Sequence, residues 1–129
     1  MAHLPGSADE IRARVPAVLE SYAFMRDNVL IDGIVEPELK ELCFRFVAED
    51  PETMDFDRFS HRERLALRWA QAIVWDSDLA GDELWDELHA EFSEPELVEL
   101  GCSIGFELGQ QHFRRTLGLP ARDAARPDK

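Results

Sequence analysis

Basic residues are scarce in this chain: 14 Lys and Arg stand against 27 Asp and Glu, a formal charge of −13. Phosphate backbones are held by clustered Lys and Arg, and anionic lipid surfaces attract the same groups, so neither nucleic acid nor a membrane is an expected partner. No apolar run approaches the about 20 residues of a spanning helix. The opening MAHLPGSADE lacks the basic-then-apolar order of a secretory signal, which makes a cytoplasmic location the expectation. Cysteine is limited to Cys43 and Cys102. Two thiols without C-x-x-C spacing make neither a disulfide framework nor a zinc or dithiol motif. Strand-like alternation and internal repeats are also missing, which leaves helices.

What is present is enough for one domain. A chain of 129 residues that is 45% hydrophobic buries about two thirds of its unfolded surface and needs no metal to hold a core. Residues 1–8, with Pro5, Gly6 and Ser7, read as a flexible arm, and Asp9 to Arg14 as a short helical turn. Pro16 opens a helix to about Val29 that offers Val18, Leu19, Tyr22, Phe24 and Met25 as apolar surface, and Gly33 stops it. Pro37 opens a second helix with Leu39, Leu42, Cys43, Phe46 and Val47 turned inward; Pro51 ends it. Ser60 and Glu63 form a capping box for a third helix to about Trp75. A fourth covers about Glu83 to Phe92, and a second capping box, Ser93 with Glu96, starts a fifth that runs to Leu117. The expected architecture is an all-α, single-domain bundle of about five to six helices over residues 9–118, followed by a flexible tail, 119–129.

The fifth helix organises the rest. On a helical wheel Leu97, Leu100, Ile104 and Leu108 form one apolar flank and Cys102, Phe106, Phe113 and Leu117 another. Between them run Gly101, Gly105 and Gly109 with His112, a stripe suited to close helix packing or to a ligand. Glu96, Glu99, Ser103, Glu107, Gln110 and Arg114 take the narrower remaining polar arc. So wide an apolar arc predicts a core helix covered on several sides.

Several constellations touch on chemistry. Gly101-Cys102-Ser103-Ile104-Gly105 matches the esterase elbow G-x-S-x-G, but it lies in mid-helix with no strand before it, so the match is read as accidental. Asp76, Asp78, Gly81 and Glu87 fall at calcium-loop positions, yet Ala80 removes a ligand, and an acidic linker is the reading adopted. Asp82, Asp86 and His89 share a helix face that is read as solvated, so no metal and no cofactor is expected. His112, in line with the glycines, is the candidate acid/base or ligand-donating group.

With these segments in place, the chain resembles the carboxymuconolactone decarboxylase and alkylhydroperoxidase D (AhpD)-like family. FSHRERLALRWAQAIVWD looks like that family's helix of the form E-r-x-l-l-x-w-a, and DELWDELHAEFSEPELVELGCSIGFELGQQHF looks like its closing helix pair. Leu39-Lys40-Glu41-Leu42 looks like the "lKEl" segment before the family's active-site helix. The resemblance spans about residues 16–118 and implies an all-helical homo-oligomer, with Glu41 matching the family's glutamate. The family's C-x-x-C-x-x-x-H motif has no counterpart: FVAEDPETMDFDRF, residues 46–59, takes its place.

Three readings of function follow. The first is an AhpD-like protein without the redox motif, acting as an oligomeric small-molecule binder or non-redox enzyme with its pocket on the fifth helix. The second is a thiol peroxidase working through Cys43 or Cys102. The third is a non-catalytic interaction subunit.

Overall fold

The computed structural model describes residues 3–123, which form an all-α bundle. Six α-helices follow one another: α1 (Ala8–Arg12), α2 (Pro16–Met25), α3 (Pro37–Val47), α4 (His61–Val74), α5 (Asp82–Glu91) and α6 (Glu94–Thr116). A π-helical turn, Arg26–Leu30, extends α2, and short 3₁₀ turns punctuate the connections on either side of α4.

Local chemistry sets these boundaries. Ser7, Ser60 and Ser93 each accept from the amide three residues on, while Glu10, Glu63 and Glu96 reach back to the serine amides. Each box satisfies two of the amides that a helix start leaves orphaned. Prolines sit in the first turns of α2, α3 and α6, where the missing N–H costs nothing. Thus the expected helices at 37, 61 and 93 start where the sequence places them.

The core lies where α3, α4, α5 and α6 meet. Leu39, Leu42, Cys43, Phe46 and Val47 of α3 pack with Leu65, Leu67 and Ala70 of α4, Leu84 and Leu88 of α5, and Leu97, Leu100 and Ile104 of α6. Arg62 ties the starts of three helices together. It donates to Glu36 at 2.7 and 2.9 Å, to Glu91 at 3.3 Å and to Glu96 at 3.3 Å, with its guanidinium 4.2 Å from the Phe92 ring centre.

Two expectations are corrected. α2 was read as supplying apolar surface to the bundle, yet it has no buried residue; Phe24 is 67% exposed. Its apolar side chains lie around its whole circumference, so no single face can be turned inward. The described residues of the arm and tail make contacts of their own. His3 N–H donates to Leu117 O at 2.7 Å, Arg14 to Pro5 O at 2.6 Å, and Arg122 makes a two-point pair with Glu41 at 2.7 and 2.8 Å. Residues 124–129 of the expected tail lie outside the described residues.

The second correction concerns α6, which is rolled relative to the wheel. Ser103 and Arg114, from the polar arc, are buried, as is Gln111 beside it, whereas Gly105, Gly109 and His112 are exposed. Hydropathy ranks side chains one at a time, but a polar group is buried readily when a partner meets it. Gln111 donates to Phe44 O at 3.1 Å and to Glu107 at 3.0 Å, and Arg114 to Asp123 at 2.8 Å. The Phe44 and Asp123 contacts are made with α3 and the C-terminal segment, neither of which a wheel of one helix contains.

Candidate functional site

Rolling α6 this way opens a groove along its other side. A cavity of about 550 Å³ runs between α4, α5 and α6, with Trp69, Trp85 and His89 on one wall and Val98, Gly101 and Cys102 on the other. Trp69 and Trp85 meet edge to face, ring centres 5.3 Å apart and planes at 69°. The His89 ring lies 5.8 Å from Trp85. Gly101 makes room for this pair: a Cβ there would come within 2.6 Å of the Trp69 ring. The glycine at 101 is therefore a packing requirement, which explains one third of the stripe.

The groove's chemistry follows from its walls. Two indoles, Ile73, Leu97 and Val98 offer apolar and aromatic contact, and the polar groups are few: His89 and Glu94, both at exposed positions. A volume of this size in an apolar setting with few polar handles is the usual form of a small-molecule site. The aromatic edges and faces suit a planar ligand, and the imidazole or the carboxylate would orient one polar substituent.

A second hollow, about 410 Å³, lies on the opposite flank of α6, against α2. Arg12 forms part of its wall, but the cation is already engaged. It stacks 3.6 Å from the Tyr22 ring centre and donates to Asp9 at 2.8 Å and Gln110 at 3.0 Å.

The most buried charge in the molecule is one the sequence reading passed over. Lys40 is 0% exposed. Its ammonium donates to the carbonyls of Val29 and Asp32 and, at 3.1 Å, to Glu99. Glu99 also accepts from the amides of Ile34 at 3.0 Å and Val35 at 2.7 Å. Burial works to raise the Glu99 carboxyl, but those two amides and the Lys40 ammonium outweigh it and hold the group below the usual carboxylate range. The arrangement clamps the 29–35 loop onto α3 and α6. Gly33 belongs to it: φ is +104°, and a Cβ would overlap the Glu99 carboxylate. A signal for this was present, since Lys40 lies in line with Cys43 and Val47 on the apolar stripe of α3.

The residues singled out from sequence do not converge. Glu41 is exposed and occupied by Arg122, which also approaches Glu107 at 3.5 Å. Cys43 is enclosed in the core, where burial pushes its thiol up to about 12; the thiolate is the reactive form, and it is not populated there at neutral pH. Cys102 is exposed on the groove wall, and both cysteines are free. His112 is exposed and lines neither hollow, contrary to its reading as a pocket group. Ser103 is buried in mid-helix, its hydroxyl away from solvent, unlike the serine of a nucleophile elbow. Asp76 and Asp78 act locally: the Asp76 carboxylate accepts from the Asp78 amide at 3.0 Å and caps a 3₁₀ turn. Among the described residues no three His, Cys, Asp or Glu side chains are grouped to hold a metal ion. No helix of the described residues is long and apolar enough to cross a membrane. Comparison of the chain with protein-family models, with curated proteins and with solved structures finds no match.

Proposed function

We propose that the protein binds a small, planar, largely apolar molecule in the groove between α4, α5 and α6, that it uses no thiol redox chemistry, and that it works as a homo-oligomer. The observation that carries this reading is the tryptophan-walled groove itself, with Gly101 cut back to seat Trp69. Aromatic pairs are worth about 0.5–1.5 kcal/mol beyond their area, so two indoles held edge to face present a rigid surface with little ordering cost on binding. A buried, high-pKa Cys43 weighs against the peroxidase alternative, because it supplies neither a nucleophilic thiolate nor a resolving partner for Cys102. The same proposal includes descent from the carboxymuconolactone decarboxylase and AhpD-like family without its redox motif. The six-helix all-α architecture and the matching segments at 39–42 and 59–118 are what support that kinship.

A neutral naphthylamine dye tests the binding. Its emission should rise saturably on titration with the protein, and Trp85→Ala and Gly101→Val should each weaken it by about tenfold, the equivalent of about 1.4 kcal/mol. A dye response that does not saturate, or that is the same in all three proteins, refutes the reading.

A further inference from the structure

Gly105 and Gly109 have no explanation inside the chain. Each sits in mid-α6 with ordinary helical φ, and a Cβ on either would meet nothing within 4 Å. An internal helical glycine costs about 0.5–1 kcal/mol relative to alanine, so two of them are retained against a penalty that alanine would relieve for free. They also belong to a longer line. Val98, Cys102, Gly105, Gly109, His112 and Thr116 are all exposed, and they recur at alternating steps of four and three residues. That spacing is the seam of two helices packed at a shallow left-handed angle. Although 32% of the chain is Asp, Glu, Lys or Arg, none of these types occupies the line.

The flank beside the seam says what lies across it. Glu94, Gly101, Leu108 and Arg115 repeat every seven residues along one edge. In an antiparallel pair such an edge faces its own copy, so Glu94 of one helix opposes Arg115 of the other, twice, and Gly101 opposes Leu108. Neither Glu94, which is exposed, nor Arg115, which is partly buried, has an ion-pair partner among the described residues. A parallel pair would set this edge against the opposite flank, where Phe106 and Phe113 stand. The seam runs about 30 Å. Apolar side chains stand beside it, including Val18, 49% exposed, and Phe113, 40% exposed.

We propose that a second copy of this chain docks antiparallel along α6, the two helices approaching closely at Gly105 and Gly109 and locked in register by two Glu94–Arg115 pairs. This deepens the homo-oligomer reading above by naming its contact surface. Val98 and Cys102 belong both to the seam and to the groove wall, so the second copy also borders the ligand groove. The −13 charge of each copy opposes association, but at about 0.15 M salt repulsion reaches only about 8 Å.

Light scattering after size exclusion, on ligand-free protein, reads the mass directly. The wild type should be dimeric or an even multiple. Gly105→Leu with Gly109→Leu should give a monomer with an unchanged helical circular-dichroism spectrum, because neither side chain meets anything in the protomer. Arg115→Glu and Glu94→Arg should each weaken self-association by about tenfold, as each reversal acts at both ends of the seam, and the double reversal should restore it. A monomeric wild type, leucine variants that keep the wild-type mass, or a double reversal no better than the singles overturns the proposal. Dye binding with a monomeric wild type would refute both the interface and the homo-oligomer reading while leaving the ligand reading standing; an oligomer whose mass the leucine variants do not change would refute the interface alone, and a dimer without dye binding the ligand reading alone.

Discussion

Replacing Glu99 with alanine isolates the clamp. The substitution removes the carboxylate that accepts from the Ile34 and Val35 amides and from the Lys40 ammonium. Lys40, wholly buried, keeps two carbonyl acceptors but loses its counter-charge. Breaking a buried pair from one side costs about 3–5 kcal/mol. The Glu99 side chain retains 14% exposure and Ile34 is exposed, so water can replace part of what is lost and the lower end applies, about 3 kcal/mol. Urea unfolding followed by tryptophan emission measures it: with a slope of about 1.5 kcal/mol per M, the midpoint should fall by about 2 M. Glu99→Gln keeps an acceptor for one amide and should lose about half as much. Lys40→Met with Glu99→Gln should be less damaging than the sum of its singles, since neither charge is then stranded. A loss below about 1 kcal/mol for Glu99→Ala, or strict additivity in the double variant, would refute the clamp as an energetic unit.

Further outcomes follow from the same geometry. Gly33→Ala should destabilise by about 2 kcal/mol or more by the same urea assay, because positive φ and overlap with the Glu99 carboxylate act together. Acid should unfold the protein through its paired carboxylates. Arg62 holds Glu36 low, the Ser93 amide holds Glu96 low, and the groups around Glu99 hold it low against burial. Unfolded carboxylates titrate near 4.3, so the unfolded chain takes up protons first; this stabilisation is complete above about pH 5 and is lost as pH falls through the depressed folded values. Urea midpoints measured from pH 7 downward check this, and a midpoint unchanged to pH 3.5 or so contradicts it. In the Gly105→Leu, Gly109→Leu variant, whose α6 face is uncovered, an aromatic disulfide reagent at neutral pH should titrate Cys102 promptly and Cys43 only after denaturation; a fast-reacting Cys43 would contradict its burial.

The sequence by itself determined the helices and most of the core. Serine–glutamate boxes and first-turn prolines act within four residues, so reading them needs no knowledge of the rest of the chain. The inward faces of α3 and α5 likewise follow from period, because their apolar and polar residues separate, Lys40 of α3 excepted. What only the tertiary structure decided was which side of α6 meets the bundle. Its polar side turns inward where Lys40, Phe44 and Arg122, distant in sequence, supply partners for Glu99, Gln111 and Glu107. The turn this imposes leaves Gly105, Gly109 and His112 on the surface and opens the tryptophan groove beside Gly101. A wheel ranks residues by their own cost of leaving water, whereas burial is set by that cost less what the partner returns, and the partner comes only with the fold.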